Sequence, residues 1–155
     1  MYRFGDKNSP QKAVVRLFEK KEGGAEIVYL WAALPVEVFH FFKERGAQII
    51  IERINCHRKS SRDILRTTYD LLGLPESCSI SEKDIEQERE KLSICDAIFC
   101  PSPMVKRSML ANTISEEKLL TTSYGWDPAR FPERDGRALT KRRPTFLFVG
   151  TLCVR

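Results

Sequence analysis

His57 is one of two histidines in the chain and closes the segment ERINCH, directly after an isoleucine-rich run. An imidazole at the end of a strand can hydrogen-bond a sugar hydroxyl or pass a proton near neutral pH. It can also be a loop histidine with purely local hydrogen bonds. Asn55, two residues earlier, can orient a substrate hydroxyl or make a turn. Glu52 and Arg53 are neighbours, so in a strand they face opposite ways and at least one needs a partner; an ordinary ion pair is the expectation. Ser102 precedes Pro103 at a strand-to-helix junction, where free amides bind anions or, more often, are capped by the serine itself. In SYGWDPARF (123–131), Gly125 suits an unusual backbone angle and Asp127 can cap the following turn. The position of that segment suits a hinge. In VGTLCVR (149–155), Gly150 lets a ligand approach the backbone and Arg155 can pair with a diphosphate. His40 lies inside a helical pattern and reads as a packing or surface residue. No dinucleotide fingerprint, phosphate loop, metal triad or nucleophile elbow is present.

The elements that must position these groups alternate. A helix is expected over 9–20, with Ser9 as cap, Pro10 at its first position and Gly23–Gly24 beyond its end. EIVYLWAA (26–33) is long and apolar enough for a strand buried on both faces. PVEVFHFFKER then forms a helix that Gly46 ends, and AQIIIERI (47–54) forms the next strand. Residues 60–72 place Ile64, Leu65, Tyr69 and Leu72 on one helical face, before Gly73 and Pro75 break the chain. Ser81 and Asp84 form a capping-box start to a helix whose stripe is Ile85, Arg89, Leu92 and Cys95. Asp96 reads as closing that helix. AIFC (97–100) is a strand, the helix from Ser102 has Val105, Met109 and Leu110 as its inner face, and KLLTTS (118–123) is a strand. PERDGRALTKRRP (132–144) has the composition of a linker, and TFLFVG (145–150) is a further buried strand. The alternation predicts an α/β fold: an incomplete Rossmann-like parallel sheet with flanking helices. In such sheets ligands sit beyond the C-terminal strand ends. That singles out Trp31–Leu34, Asn55–Arg58, Ser102, Ser123–Trp126 and Gly150–Arg155.

The 155 residues are 42% hydrophobic and 30% charged, the balance of a globular chain rather than a disordered one. No apolar run nears the ~20 residues of a membrane-spanning helix, and the polar start MYRFGDKNSP lacks a signal-peptide core. The net charge of +5 suits phosphate-bearing partners, although Arg134, Arg137, Lys141, Arg142 and Arg143 concentrate much of it in the linker. The five cysteines form no Cys-x-x-Cys pair, so neither a disulfide framework nor a zinc site is expected, and Cys95 and Cys100 read as small core residues. Reduced thiols imply the cytoplasm.

Three ordered pieces resemble the retaining glycosyltransferases of family 4, the group 1 glycosyltransferases. CDAIFCPSPMVKRSML is similar to that family's Ala-Asp, apolar, Pro-Ser strand and helix. EEKLLTTSYGWDPARF is similar to its lysine-led strand followed by Gly-Val-Asp and phenylalanine. TFLFVGTLCVR is similar to the strand opening its second domain. The resemblance covers roughly residues 26–155 and implies the GT-B architecture, two Rossmann-like domains facing a cleft. Residues 1–131 are then expected to be the later part of the acceptor-side domain, 132–144 the interdomain linker, and 145–155 the first strand of the donor-binding domain.

The implied activity is transfer of a sugar from a nucleotide-sugar to an acceptor with retention of configuration. No cofactor or metal is implied, since the nucleotide-sugar is itself the donor substrate. On this alignment His57, with Asn55 and Ser102, falls at the acceptor side of the cleft. Gly150 and Arg155 fall near the donor diphosphate, and Gly125 and Asp127 fall at the hinge. Thr151 stands where many members have arginine, Lys91 stands where many have glutamate, and Cys95 replaces a small alanine. Basic groups stabilising the leaving diphosphate would supply much of the catalysis. The isolated chain is expected to be inactive because it lacks the donor site. Its acceptor and oligomeric state are not specified, and no nucleic-acid partner is implied. Peripheral membrane contact stays open, because Trp31, Phe39, Phe41 and Phe42 lie near Lys43 and Arg45. The alternative is a non-catalytic basic α/β binding module for nucleic acid or another anionic partner.

Overall fold

The computed structural model describes residues 26–125, 127, 129 and 130. In chain order the elements are β1 (Ile27–Leu30), α1 (Val36–Lys43), β2 (Gln48–Glu52), α2 (Arg58–Leu72), α3 (Glu82–Ile94), β3 (Ala97–Cys100), α4 (Pro103–Ala111), a 3₁₀ turn (Glu116–Lys118) and β4 (Leu119–Thr121). The expected helix at 9–20, linker at 132–144 and strand at 145–150 lie outside the described residues.

Local chemistry accounts for the boundaries. Pro35 fixes the entry to α1, and Gly46, at φ +79°, takes the left-handed angle that turns the chain into β2. Gly73, at φ +61°, ends α2, its amide donating to Asp70 O and the next amide to Tyr69 O. Ser81 and Asp84 form the full capping box on α3. Ser102 caps α4 through a 3.3 Å bond from the Val105 amide.

The four strands form one parallel sheet in the order β1-β2-β3-β4. Each connection steps the same way across the sheet, and right-handed crossovers then place the connecting helices on one face. Burial follows that geometry. Leu30, Ile49, Ile51, Ile98, Cys100 and Leu119 point into the core, where α1 contributes Val38, Phe39, Phe41 and Phe42, α3 contributes Leu92, and α4 contributes Val105 and Met109. The architecture is α/β, a partial Rossmann-like fold.

The expectation of strands buried on both faces is corrected. Ile27 is 57% exposed and Tyr29 54%, because among the described residues the core is built on the other face only. Helix α2 also departs from expectation. Its apolar stripe stays at the surface, with Ile64 and Leu72 exposed, and Arg62 is its buried residue. The reason is its seat. α2 stacks on α3, and its first turn is tied to α4 by the 2.8 Å Asn112–Ser60 bond and the 3.0 Å bond from the His57 amide to Ser108. In α3 the buried stripe runs through Ile85, Glu88 and Leu92, with Cys95 just beyond, while Arg89 is exposed and pairs with Glu86. In α4 Leu110 is 38% exposed rather than internal. Asp96 does not close α3. Its carboxylate accepts from the Ile49 amide at 2.8 Å and from Lys43 Nζ at 2.7 and 2.9 Å, which ties the start of β2 to the end of α1. Burial opposes its ionisation, but Lys43 and the Ile49 amide outweigh that and hold its carboxyl below the ordinary value.

Candidate functional site

β1 and β2 run side by side in the register Leu30↔Ile51, so the residues leaving their C-terminal ends emerge together. Trp31 to Ala33 face Glu52 to Asn55 across an open cleft of about 170 Å³, and Arg58 from the first turn of α2 completes it. A turn closed by the 3.0 Å bond from the Leu34 amide to Trp31 O holds the β1 side. Trp31 keeps 55% of its surface exposed. A second, polar cleft opens toward α3 and shares Ala32, Arg53 and Arg58, adding Asp84, Gln87, Glu88 and Lys91. A third, more apolar one lies beyond Asn55 against Cys56, Ser61, Ile64, Leu65 and Ile80.

Beneath the clefts lies a buried ionic cluster. Glu88 is 4% exposed. Its Oε2 accepts from the Arg58 amide at 2.5 Å, and its Oε1 forms a close ion pair with the Arg53 guanidinium. His57 is fully buried at the N-cap of α2. Its Nδ1 accepts from the Lys59 amide at 3.2 Å and lies 3.5 Å from Glu88 Oε2. An accepting Nδ1 places the ring proton on Nε2, which is buried without a hydrogen-bond partner among the described residues. Burial lowers the His57 pKa; the Glu88 charge works the other way, and Arg53 adds to the lowering. Lys91 spans from α3 to the β1 turn and donates to Ala32 O at 3.1 Å and Leu34 O at 2.9 Å. Burial, with Arg58 and Arg53 nearby, lowers its pKa as well.

The singled-out residues are therefore dispersed. Asn55 lines the Trp31 cleft and is exposed, and its carboxamide makes no hydrogen bond to the described residues. His57 faces the interior, where it caps α2 beside Glu88. Ser102 caps α4 and lines none of the three clefts. Glu52 and Arg53 do diverge, Glu52 to the Tyr29 hydroxyl at 3.1 Å and Arg53 to Glu88. Gly125 does not take a left-handed backbone angle, so nothing there demands glycine. Asp127 caps its turn, accepting from the Ala129 amide at 2.9 Å. Gly150 and Arg155 lie outside the described residues. His40 is a surface residue, 2.8 Å from Glu90.

Glu88 and Lys91 were not singled out by pattern, whereas Arg58 falls in the strand-end stretch Asn55–Arg58 that was. A charged residue on the inner stripe of an amphipathic helix is the signal that marks Glu88, and its i–3 and i+4 neighbours Ile85 and Leu92 supply that stripe. The aromatic group near Lys43 divides: Phe39, Phe41 and Phe42 are core residues, leaving Trp31 at the surface. Among the described residues no helix is long and apolar enough to cross a membrane, and no cluster of histidine, cysteine or acidic side chains could hold a metal. Compared with models of known protein families, with curated protein sequences and with solved structures, the chain matches none of them.

Proposed function

We propose that this chain carries the acceptor side of a two-domain retaining glycosyltransferase, which moves a sugar from a nucleotide-sugar to an acceptor. The observation that carries the reading is the cleft beyond the C-terminal ends of β1 and β2, where parallel α/β sheets hold their ligands. The segments that resemble group 1 glycosyltransferases supply the rest of the support, since CDAIFCPSPMVKRSML folds as strand, serine cap and helix in the order that resemblance requires. In this reading Asn55, Arg58 and Glu52 address acceptor hydroxyls. His57, Glu88 and Arg53 act from beneath by fixing the start of α2. The donor diphosphate is met by residues outside those described, with Gly150 and Arg155 as the first candidates. Free thiols at Cys56, Cys78, Cys95 and Cys100 agree with a cytoplasmic setting.

The charge at the strand ends also bears on the rival nucleic-acid module. The two polar clefts hold Arg53, Arg58 and Lys91 against Glu52, Asp84 and Glu88, three cations matched by three carboxylates. A phosphate-backbone surface needs unmatched positive charge. The test is amide mapping by ¹⁵N–¹H NMR, titrating the chain with methyl hexopyranosides and, separately, with a short single-stranded oligonucleotide. Saturable shifts of Ala32–Ala33 and Asn55–Arg58 with glycosides are expected. Oligonucleotide binding that weakens steeply with salt, with no glycoside response, would replace the proposal with the binding module.

A further inference from the structure

We infer that the cleft between β1 and β2 is a stacking subsite for one neutral pyranose ring, with the Trp31 indole as its platform. The inference rests on the glycosyltransferase reading and adds the class of acceptor, a saccharide without a charged group at this ring. Three observations combine. First, Trp31 is the largest side chain on the cleft wall, more than half exposed, at a strand end where the Leu34–Trp31 turn fixes its backbone. Its indole N–H has no partner among the described residues. An exposed apolar ring held on a rigid element is a surface that gains by being covered.

Second, the polar groups around it are planar and bidentate. Asn55 offers an unpaired carboxamide. Arg58 offers a guanidinium held only loosely, 3.5 Å from Asp84, with half its side chain in solvent. Glu52 has one carboxylate oxygen engaged by Tyr29 and the other free to accept. Asn55 can donate to one hydroxyl and accept from the next, Arg58 can donate to a vicinal pair and Glu52 can accept, while the C–H face of the same ring lies on the indole. Third, the cleft's charges cancel. Arg53 is neutralised by Glu88 beneath the floor, so Arg58 and Glu52 face the ligand as one cation and one anion. That balance gives an anionic ligand no net attraction and suits an uncharged polyol.

The experiment uses the full chain, ¹⁵N-labelled, with the two indole resonances assigned through Trp31→Phe. Methyl glucoside, mannoside and galactoside are titrated alongside uridine and adenosine. At least one glycoside should shift the Trp31 indole and the Asn55 carboxamide saturably, with saturation transfer from the indole to the sugar C–H protons. Trp31→Ala should weaken that binding about tenfold, and Trp31→Phe should keep it within about threefold. Circular dichroism of both variants checks that the fold persists. Glycoside binding at Asn55–Arg58 that Trp31→Ala leaves unchanged overturns the stacking platform and leaves the acceptor-side reading standing. A Trp31 response to nucleosides and not to glycosides also overturns it, making the indole a nucleobase platform. No glycoside binding anywhere on the described sheet overturns both.

Discussion

Replacing Glu88 by alanine should destabilise the fold more than any surface change near the clefts. The carboxylate is 5% exposed and the Arg53 side chain it holds is 14% exposed. Removing one partner of such a pair leaves the other charge buried and uncompensated, which costs about 3–5 kcal/mol. The same substitution strips the Arg58 amide of its acceptor, and an orphaned buried donor costs about 1–3 kcal/mol. The two terms overlap, because both arise from one carboxylate and Arg53 can tilt toward solvent. A total near 4 kcal/mol is therefore expected from a stability of about 5–15 kcal/mol. At about 2–4 °C per kcal/mol for a chain of this length, Tm should fall by roughly 8–16 °C. Glu88→Gln separates the terms, since it keeps an oxygen for the Arg58 amide and loses only the charge, so about 3 kcal/mol, the ion-pair part alone, is expected. Arg53→Met combined with Glu88→Leu should recover part of the loss by removing both charges together. Urea unfolding followed by far-UV circular dichroism gives these values. If Glu88→Ala stays within about 0.5 kcal/mol of the parent, the range of an ordinary surface substitution, the cluster does not hold α2 in place and the architecture of the site argued above is wrong.

Two further predictions rest on burial. Because burial lowers the His57 pKa below its ordinary 6.5, the unfolded chain binds the proton more readily than the folded one. The stability this contributes is complete above pH 6.5 and is lost as pH falls through and below that value. The lowered carboxyls of Asp63, Asp84 and Asp96 also cost stability on acidification, but only below about pH 4, where carboxylates protonate. His57→Asn, which can still cap α2, should flatten the slope between those windows, and urea midpoints measured across pH 4.5–7 test it; an unchanged slope would sink the assignment. Cys95 and Cys100 are fully buried, and burial pushes the Cys95 thiol up to about 12 and raises that of Cys100. Iodoacetamide on the native protein, read by peptide mass spectrometry, should modify Cys56 and Cys78 and spare these two until urea is added.

The order of strands and helices was legible because each signal is local. Ser81 with Asp84, Ser102 with Pro103, and Gly46 and Gly73 mark boundaries through bonds made within a few residues. What each face meets is not local. EIVYLWAA reads as buried on both sides because isoleucine, tyrosine and tryptophan are apolar, yet only the even-numbered residues of β1 face helices in the described sheet. The same limit left two readings of His57 open. His57 has the residue type and strand-end position of a cleft histidine, but the cap it makes on α2 turns its ring inward against Glu88, a residue thirty-one positions away whose burial depends on how α2 stacks on α3. Trp31 was named at the strand end, although the apolar run it belongs to reads as buried on both faces. It follows the odd-numbered residues Ile27 and Tyr29, which are exposed as it is, on the face that no helix of the described sheet covers. The side chains at this strand end divide by depth. Beneath, Glu88 pairs with Arg53 and accepts from the Arg58 amide, and His57 caps α2 beside them, which fixes the wall. Those at the rim, Trp31, Asn55 and Arg58, keep unspent surface or hydrogen-bonding capacity. Recognition is therefore to be sought at the rim, and stability in the layer under it.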